Sequence, residues 1–224
     1  MQNEHNETIA SLHFVRGQIL FEYPHKNRMV RKCLSPDAVR NALLLQEFDS
    51  GWVAPRTIRH GEGPNGPWAI QHYPATSYTL FFNQSIAHEA QPPLTQLTLP
   101  LPAFIFIGTH QHYSLYAIRC WRNDATVLYH APLPNISSQG HICYGTTSPP
   151  AVSPITIREA WRLFWRSTFN YDHASGKSHS HPDNIVTQLR NIAHQCPDQY
   201  PGIDLVRTPM TMNDILQGLN QGDK

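Results

Sequence analysis

The order of the hydrophobic patterns predicts an α+β fold: an antiparallel β-meander with helices packed on one side, preceded by an N-terminal strand-and-helix extension. Three observations carry this expectation. Short runs of β-branched and aromatic residues, punctuated by Gly and Pro, fill the first two-thirds of the chain. Helical spacing of apolar residues appears in the last third. No internal repeat is visible. With 224 residues, 40% hydrophobic and 15% charged, the chain is long and apolar enough to bury a core.

Taken in order, "SLHFVRGQILFEY" (11–23) reads as strand, and a turn at Pro24 to Asn27 leads into a second strand, giving a hairpin. "SPDAVRNALLLQEF" (35–48) reads as a helix. Ser35 suits the N-cap, Pro36 the first helical position, and Asp37 the positive end of the dipole. These segments form a predicted extension over residues 1–50, and residues 51–224 form the main domain. Strands with turns at Gly61 to Pro67 and Pro74 to Ser77 follow, then a connector, "HEAQPPLTQ". In "LTQLTLPLPAFIFIGTH", Pro100 and Pro102 weaken the start as a central strand. "YSLYAIRCW" (113–121) and "TVLYHAPLPN" continue the meander. After the loop "TTSPPAVSP", residues 155–170 place Ile157, Ala160, Trp161, Phe164, Trp165 and Thr168 at helical spacing, with Phe169 continuing the aromatic stripe, and the stripe is expected to pack on the sheet. "YDHASGKSHSH" reads as an exposed polar loop, "PDNIVTQLRNIAHQC" as a helix, and "TMNDILQGLN" as a last short one.

The net charge of +1 gives no strong nucleic-acid footprint. The polar start "MQNEHNETIA" does not resemble a signal peptide, and no apolar run reaches the roughly 18 residues a membrane span needs. A cytoplasmic chain with free thiols is the expectation. Lysines are few: Lys26, Lys32, Lys177 and Lys224, against thirteen arginines. Base composition of the genome explains the bias; scarcity of internal amines that attack an activated acyl group is the sharper reading.

Four cysteines are spaced widely, without a C-x-x-C pair. Cys143 stands out because it follows a turn, "SSQG", where Gly140 tolerates positive φ. Asn135 lies eight residues earlier, and a turn between the two folds the chain back. Its amide is then a candidate donor to an oxyanion on a carbonyl attacked by the thiol, or a simple brace for the turn. His141, two residues before Cys143, shares its face if the segment is extended. Protonated, it would favour the thiolate; otherwise it is a solvated turn residue. Cys120, beside Trp121, reads as core. Cys33 precedes the Ser35 helix start and reads as buried, and Cys196 as inert at a helix end. His173, His179 and His181, like His110 and His112, invite a metal reading, but nothing completes a ligand set, and solvated loops explain them.

"PNISSQGHIC" resembles the active-site stretch of ubiquitin-conjugating enzymes: Pro-Asn, a turn with Gly, an aliphatic residue, then the acceptor cysteine. The family's preceding histidine, a structural hydrogen-bonding residue, is here Leu133. With "LPLPAFIFIG", "YSLYAI" and "EAWRLFWRSTFN", over roughly residues 50 to 220, the chain more specifically resembles the prokaryotic ubiquitin-conjugating-like family D, that of PRTRC system protein B. The resemblance implies a ubiquitin-conjugating-enzyme-like fold and a carrier function. An adenylating activating enzyme of the ThiF type would deliver a ubiquitin-like protein to Cys143 as a thioester, for transfer to an amine. Asn135 would be the donor; Pro134, His141, Tyr144 and Gly145 would shape the groove for the incoming tail. No cofactor and no metal is implied, since exchange between thioesters is nearly isoenergetic. The setting implied is a PRTRC cassette, often plasmid-borne, with a JAB-type metalloprotease and a ParM-like protein. Leu133 also leaves room for a non-catalytic scaffold with the same fold. A cysteine hydrolase pairing Cys143 with a distant histidine is a third reading, in which the Asn-to-Cys spacing has no role.

Overall fold

The computed structural model describes residues 10–221 except 17, 27, 40–52, 84–94 and 196. The chain divides into two compact units, Met1–Gly51 and Trp52–Lys224.

In the first unit, strands β1 (Ser11–Val15), β2 (Gln18–His25) and β3 (Arg28–Leu34) form an antiparallel sheet in that order. The stretch 11–23 therefore holds parts of two strands, where the sequence suggested one. Pro24 lies inside β2, opposite Met29, and the second turn falls at Lys26, with φ +47°. One face carries Leu12, Ile19, Phe21, Tyr23 and Val30. The other carries Glu22, which pairs with His13 and Arg31. Cys33 shares the polar face and is exposed, against the expectation of burial. Residues 36–39 are helical, and Ser35 Oγ accepts the Ala38 N–H at 3.1 Å, as an N-cap does. Positions 40–48 of the expected helix lie outside the described residues.

The second unit is built on a six-stranded antiparallel sheet. Its members are β4 (Thr57–Gly63), β5 (Gly66–Tyr73), β8 (Ala103–Thr109), β9 (His112–Ile118), β10 (Val127–His130) and β12 (Arg207–Thr211). Their spatial order is β12-β10-β9-β8-β5-β4. A smaller sheet holds β6 (Thr76–Phe82), β7 (Gln96–Leu101) and β11 (Thr168–Phe169), in the order β11-β6-β7. The run 96–109 divides at Pro102 into β7 and β8, which belong to different sheets. A proline lacks the N–H that would continue a ladder, so the chain changes sheet there.

Three helices complete the described part of this unit: α1 (Ile157–Arg166), α2 (Ile185–Gln195) and α3 (Met212–Gln221). Helix α1 buries Ile157, Ala160, Trp161 and Phe164 of the expected stripe, but it ends at Arg166: Thr168 and Phe169, expected to continue it, form β11 and pair with β6 instead. Trp161 stacks on Tyr73 at 3.7 Å between ring centroids, and Trp165 on Tyr78 at 4.1 Å. Both α1 and α2 share a core with Phe104, Phe106, Leu115 and Ala117. The alternate positions of the same strands, Ile105, Ile107, Tyr116 and Ile118, form a second core with Met212 and Leu216 of α3.

The expectation of helices on one side of the sheet is thereby corrected: α3 covers the opposite face. The reason is visible in "AFIFIG" and "YSLYAI". These strands are apolar at consecutive positions, so both of their faces need cover. Cys120 is a second correction. Strand β9 ends at Ile118, and Cys120 is exposed in the bend beyond it. The loop "YDHASGKSHSH" is a third, because Lys177 and Ser178 within it are buried.

Candidate functional site

The segment 135–143 is a small hairpin. Cys143 N–H donates to Asn135 O at 2.8 Å, Ser137 N–H to His141 O at 2.8 Å, and Gly140 N–H to Ser137 O at 2.9 Å. Ser137 Oγ accepts the N–H groups of Gln139 and His141, the local serine bonding that turns favour. Gly140 has φ +85°, and a Cβ there would lie 2.6 Å from the Tyr116 ring, so this turn position requires glycine.

The hairpin is joined to the main sheet. Leu115 N–H donates to Gly140 O and Ile142 N–H to Tyr113 O, both at 2.9 Å. Residues 140–142 thus pair with the first half of β9, while β10 pairs with its second half at Tyr116 and Ala117. A rigid central strand therefore fixes the backbone immediately before Cys143. Cys143 itself is exposed.

Asn135 occupies the left-handed region at φ +60°, a conformation asparagine tolerates better than most residues. It is only 7% exposed. Its Nδ2 donates to Thr168 O at 3.2 Å, and its Oδ1 accepts the Asn170 N–H at 3.1 Å. Its own N–H donates to Asp172 O at 2.7 Å. The carboxamide thus braces the hairpin against the chain after α1, and its backbone carbonyl, not its side chain, meets Cys143.

A groove of about 390 Å³ runs beside the hairpin. His112, Tyr113, His141, Ile142, Tyr144 and Gly145 are among its walls. Tyr144 is anchored in place: its hydroxyl donates to Ala160 O of α1 at 3.2 Å, and burial, reinforced by the neighbouring Tyr113, pushes its pKa up. Gly145 has φ +63° and open space around its Cα. Pro134 is buried in the turn and does not line this groove. On the other face of the sheet, a groove of about 980 Å³ runs along α3, and His112 and His141 line both. No group of three His, Cys, Asp or Glu capable of holding a metal occurs among the described residues.

Leu133 was singled out by the sequence as the replacement of the family histidine; Lys177 was not singled out for this site. Leu133 is fully buried in the main core. Beneath it, Lys177 is only 2% exposed, and its Nζ donates to Leu133 O at 2.6 Å and also to Ile136 O. Burial pushes the Lys177 pKa down to about 7. Its neighbour Ser178 is fixed by Asp204, which accepts from Ser178 Oγ, the Ser180 N–H and the Tyr200 hydroxyl, each at 2.8 Å. Burial works against the Asp204 carboxylate, but these hydrogen bonds outweigh it and hold its pKa below the usual range. The signal in the sequence was a lone lysine in a polar loop of a lysine-poor chain.

No curated protein and no solved structure matches the chain. A family model, Prokaryotic E2 family D, matches residues 35–208. The match takes in β4 to β11, the Asn135–Cys143 hairpin, α1, α2 and Lys177, and it ends before α3. With more than half of its length matched, and with the hairpin, sheet and helices in the order described, the chain belongs to prokaryotic E2 family D, a ubiquitin-conjugating-like family.

Proposed function

We propose that this chain is a carrier that accepts a ubiquitin-like protein as a thioester on Cys143 and passes it to an amine. The observation that carries the reading is an exposed thiol at the end of a hairpin whose backbone is pinned to a central strand; its neighbours Ile142, Tyr144 and Gly145 line a groove, and Cys143 itself does not. The thiolate attacks the carbonyl of an incoming thioester, the donor thiol leaves with the electron pair, and a new thioester forms on Sγ. An adenylating enzyme of the ThiF type supplies the first thioester. His141, Tyr144 and Gly145 face the tail, and Pro134 with Asn135 keeps the hairpin closed. In this reading Asn135 is a positioning residue as the hairpin stands; it becomes an oxyanion donor only if its Nδ2 turns from Thr168 O. The setting is a cytoplasmic PRTRC cassette.

The test is to combine the protein with its activating enzyme, ATP and the ubiquitin-like partner. A thiol-sensitive adduct is expected with the wild type and not with Cys143→Ala. Equal behaviour of the two removes the reading. A second reading, a binding scaffold without transfer, is favoured by one observation: the Asn135 carboxamide is engaged by residues 168 and 170. It predicts tight binding of the ubiquitin-like protein with no covalent adduct.

A further inference from the structure

A lysine nearly sealed from water is costly unless its charge is met. Among the described residues, no carboxylate forms an ion pair with Lys177. Its Nζ is met by two backbone carbonyls, Leu133 O at 2.6 Å and Ile136 O. Those two residues bracket Pro134 and Asn135. Asn135 O in turn takes the Cys143 N–H, and Ile136 bridges to Ile142. Two sets of hydrogen bonds, joined by the covalent backbone from Leu133 to Ile136, therefore connect Lys177 to the backbone of Cys143. The side chain of Leu133 has no polar atom with which to hold the turn, so the holding is done from below.

We propose that Lys177 is a positioning residue for Cys143, clamping the Leu133 and Ile136 carbonyls so that the hairpin presents the thiol in one geometry. The ammonium supplies three N–H donors and the neutral amine two, and losing the charge weakens both bonds to the carbonyls. The clamp is thus tighter below the pKa of the lysine than above it. Among the described residues, the titratable group that senses the Lys177 charge is His130 on β10, and Asp204 holds the adjacent Ser178. The His130 pKa is lowered by burial and then by the Lys177 charge. The Asp204 oxygens are already taken by Ser178, Ser180 and Tyr200.

The role rests on Cys143 being the reactive thiol, and the experiment separates the two ideas. In the full chain with Cys33, Cys120 and Cys196 changed to Ser, alkylation of Cys143 by iodoacetamide is followed from pH 6 to 10, alongside hydrogen exchange of the Cys143 amide. Failure of the wild type to alkylate while folded counts against the thioester reading alone. The clamp predicts that Lys177→Met speeds exchange of the Cys143 amide about tenfold, as loss of a buried hydrogen-bond partner would. It also predicts an inflection near the lysine's pKa in the wild-type alkylation profile that the variant lacks. Exchange rates and profiles that coincide in the two proteins overturn it. If Lys177→Met does not fold, an NMR titration of the wild type decides. A shared midpoint for the Lys177 side-chain signal and the Cys143 amide supports the clamp, and a Cys143 amide unmoved while Lys177 titrates overturns it.

Discussion

Asn135 makes two side-chain hydrogen bonds to the chain that follows α1 and one main-chain bond to Cys143. Asn135→Ala removes the first two and leaves a Cβ-bearing residue without a local polar partner at φ +60°. The expected loss is about 2–3 kcal/mol in a denaturant titration. Asn135→Gly relieves the backbone term and is expected to be the milder of the two. Gly140→Ala meets both a positive φ and the Tyr116 ring at 2.6 Å. Its expected cost is about 2–4 kcal/mol, again read from denaturant unfolding. At this scale the sequence was only partly legible. The "SSQG" turn, the glycine and the closeness of Asn135 and Cys143 followed from turn chemistry. The direction of the carboxamide did not, because its partners at 168 and 170 lie over thirty residues away. Lys177 was hidden for the same reason: its two carbonyls are more than forty residues upstream.

Among the elements, α1 shows the closest agreement between pattern and packing, since its aromatic spacing dictates one buried face whatever the partner. Trp161 stacks on Tyr73 and touches Phe104, Phe106 and Tyr78 edgewise or at a tilt. Trp161→Ala is expected to cost about 3–5 kcal/mol, measurable as a lowered midpoint in urea. Helix α3 is the element whose placement pattern reading missed. Its apolar residues fit a helix, but periodicity alone does not say which face of a sheet it covers. The unbroken apolar character of β8 and β9 was the available clue. Leu216→Ala, at a position 5% exposed against the second core, is expected to cost about 2–4 kcal/mol. The Asn135–Cys143 hairpin is held from β9 and from beyond α1, so it is expected to keep its hydrogen-exchange protection in that variant.

For the whole molecule, the buried titratable groups predict a stability profile. Burial lowers the His72 and His130 pKa values from 6.5, so the unfolded chain binds more protons there and stability falls as pH drops through that value. Lys177 titrates near 7 when folded and near 10.5 when unfolded. Between those values the unfolded chain again holds more protons, so stability rises with pH across that window. The opposite holds for tyrosines. Burial pushes Tyr78 and Tyr116 up from 10.0 to about 12, so their contribution is full below 10 and is lost as pH rises through 12. The thermal unfolding midpoint is therefore expected to rise from pH 7 and peak near about pH 10, and Lys177→Met is expected to flatten the rise above pH 7. A wild-type midpoint that falls steadily from pH 7 to 9 contradicts this assignment of Lys177.

The central claim is that the Cys143 sulfur carries an acyl group from a ubiquitin-like protein. Replacing that sulfur by oxygen tests it most directly. In the complete reaction with activating enzyme and ATP, the wild-type adduct is expected to be released by excess dithiothreitol. Cys143→Ser is expected to give an ester that resists dithiothreitol and yields to mild alkali. A Cys143→Ser protein whose adduct is as thiol-labile as the wild type's would place the bond on another residue and contradict the account.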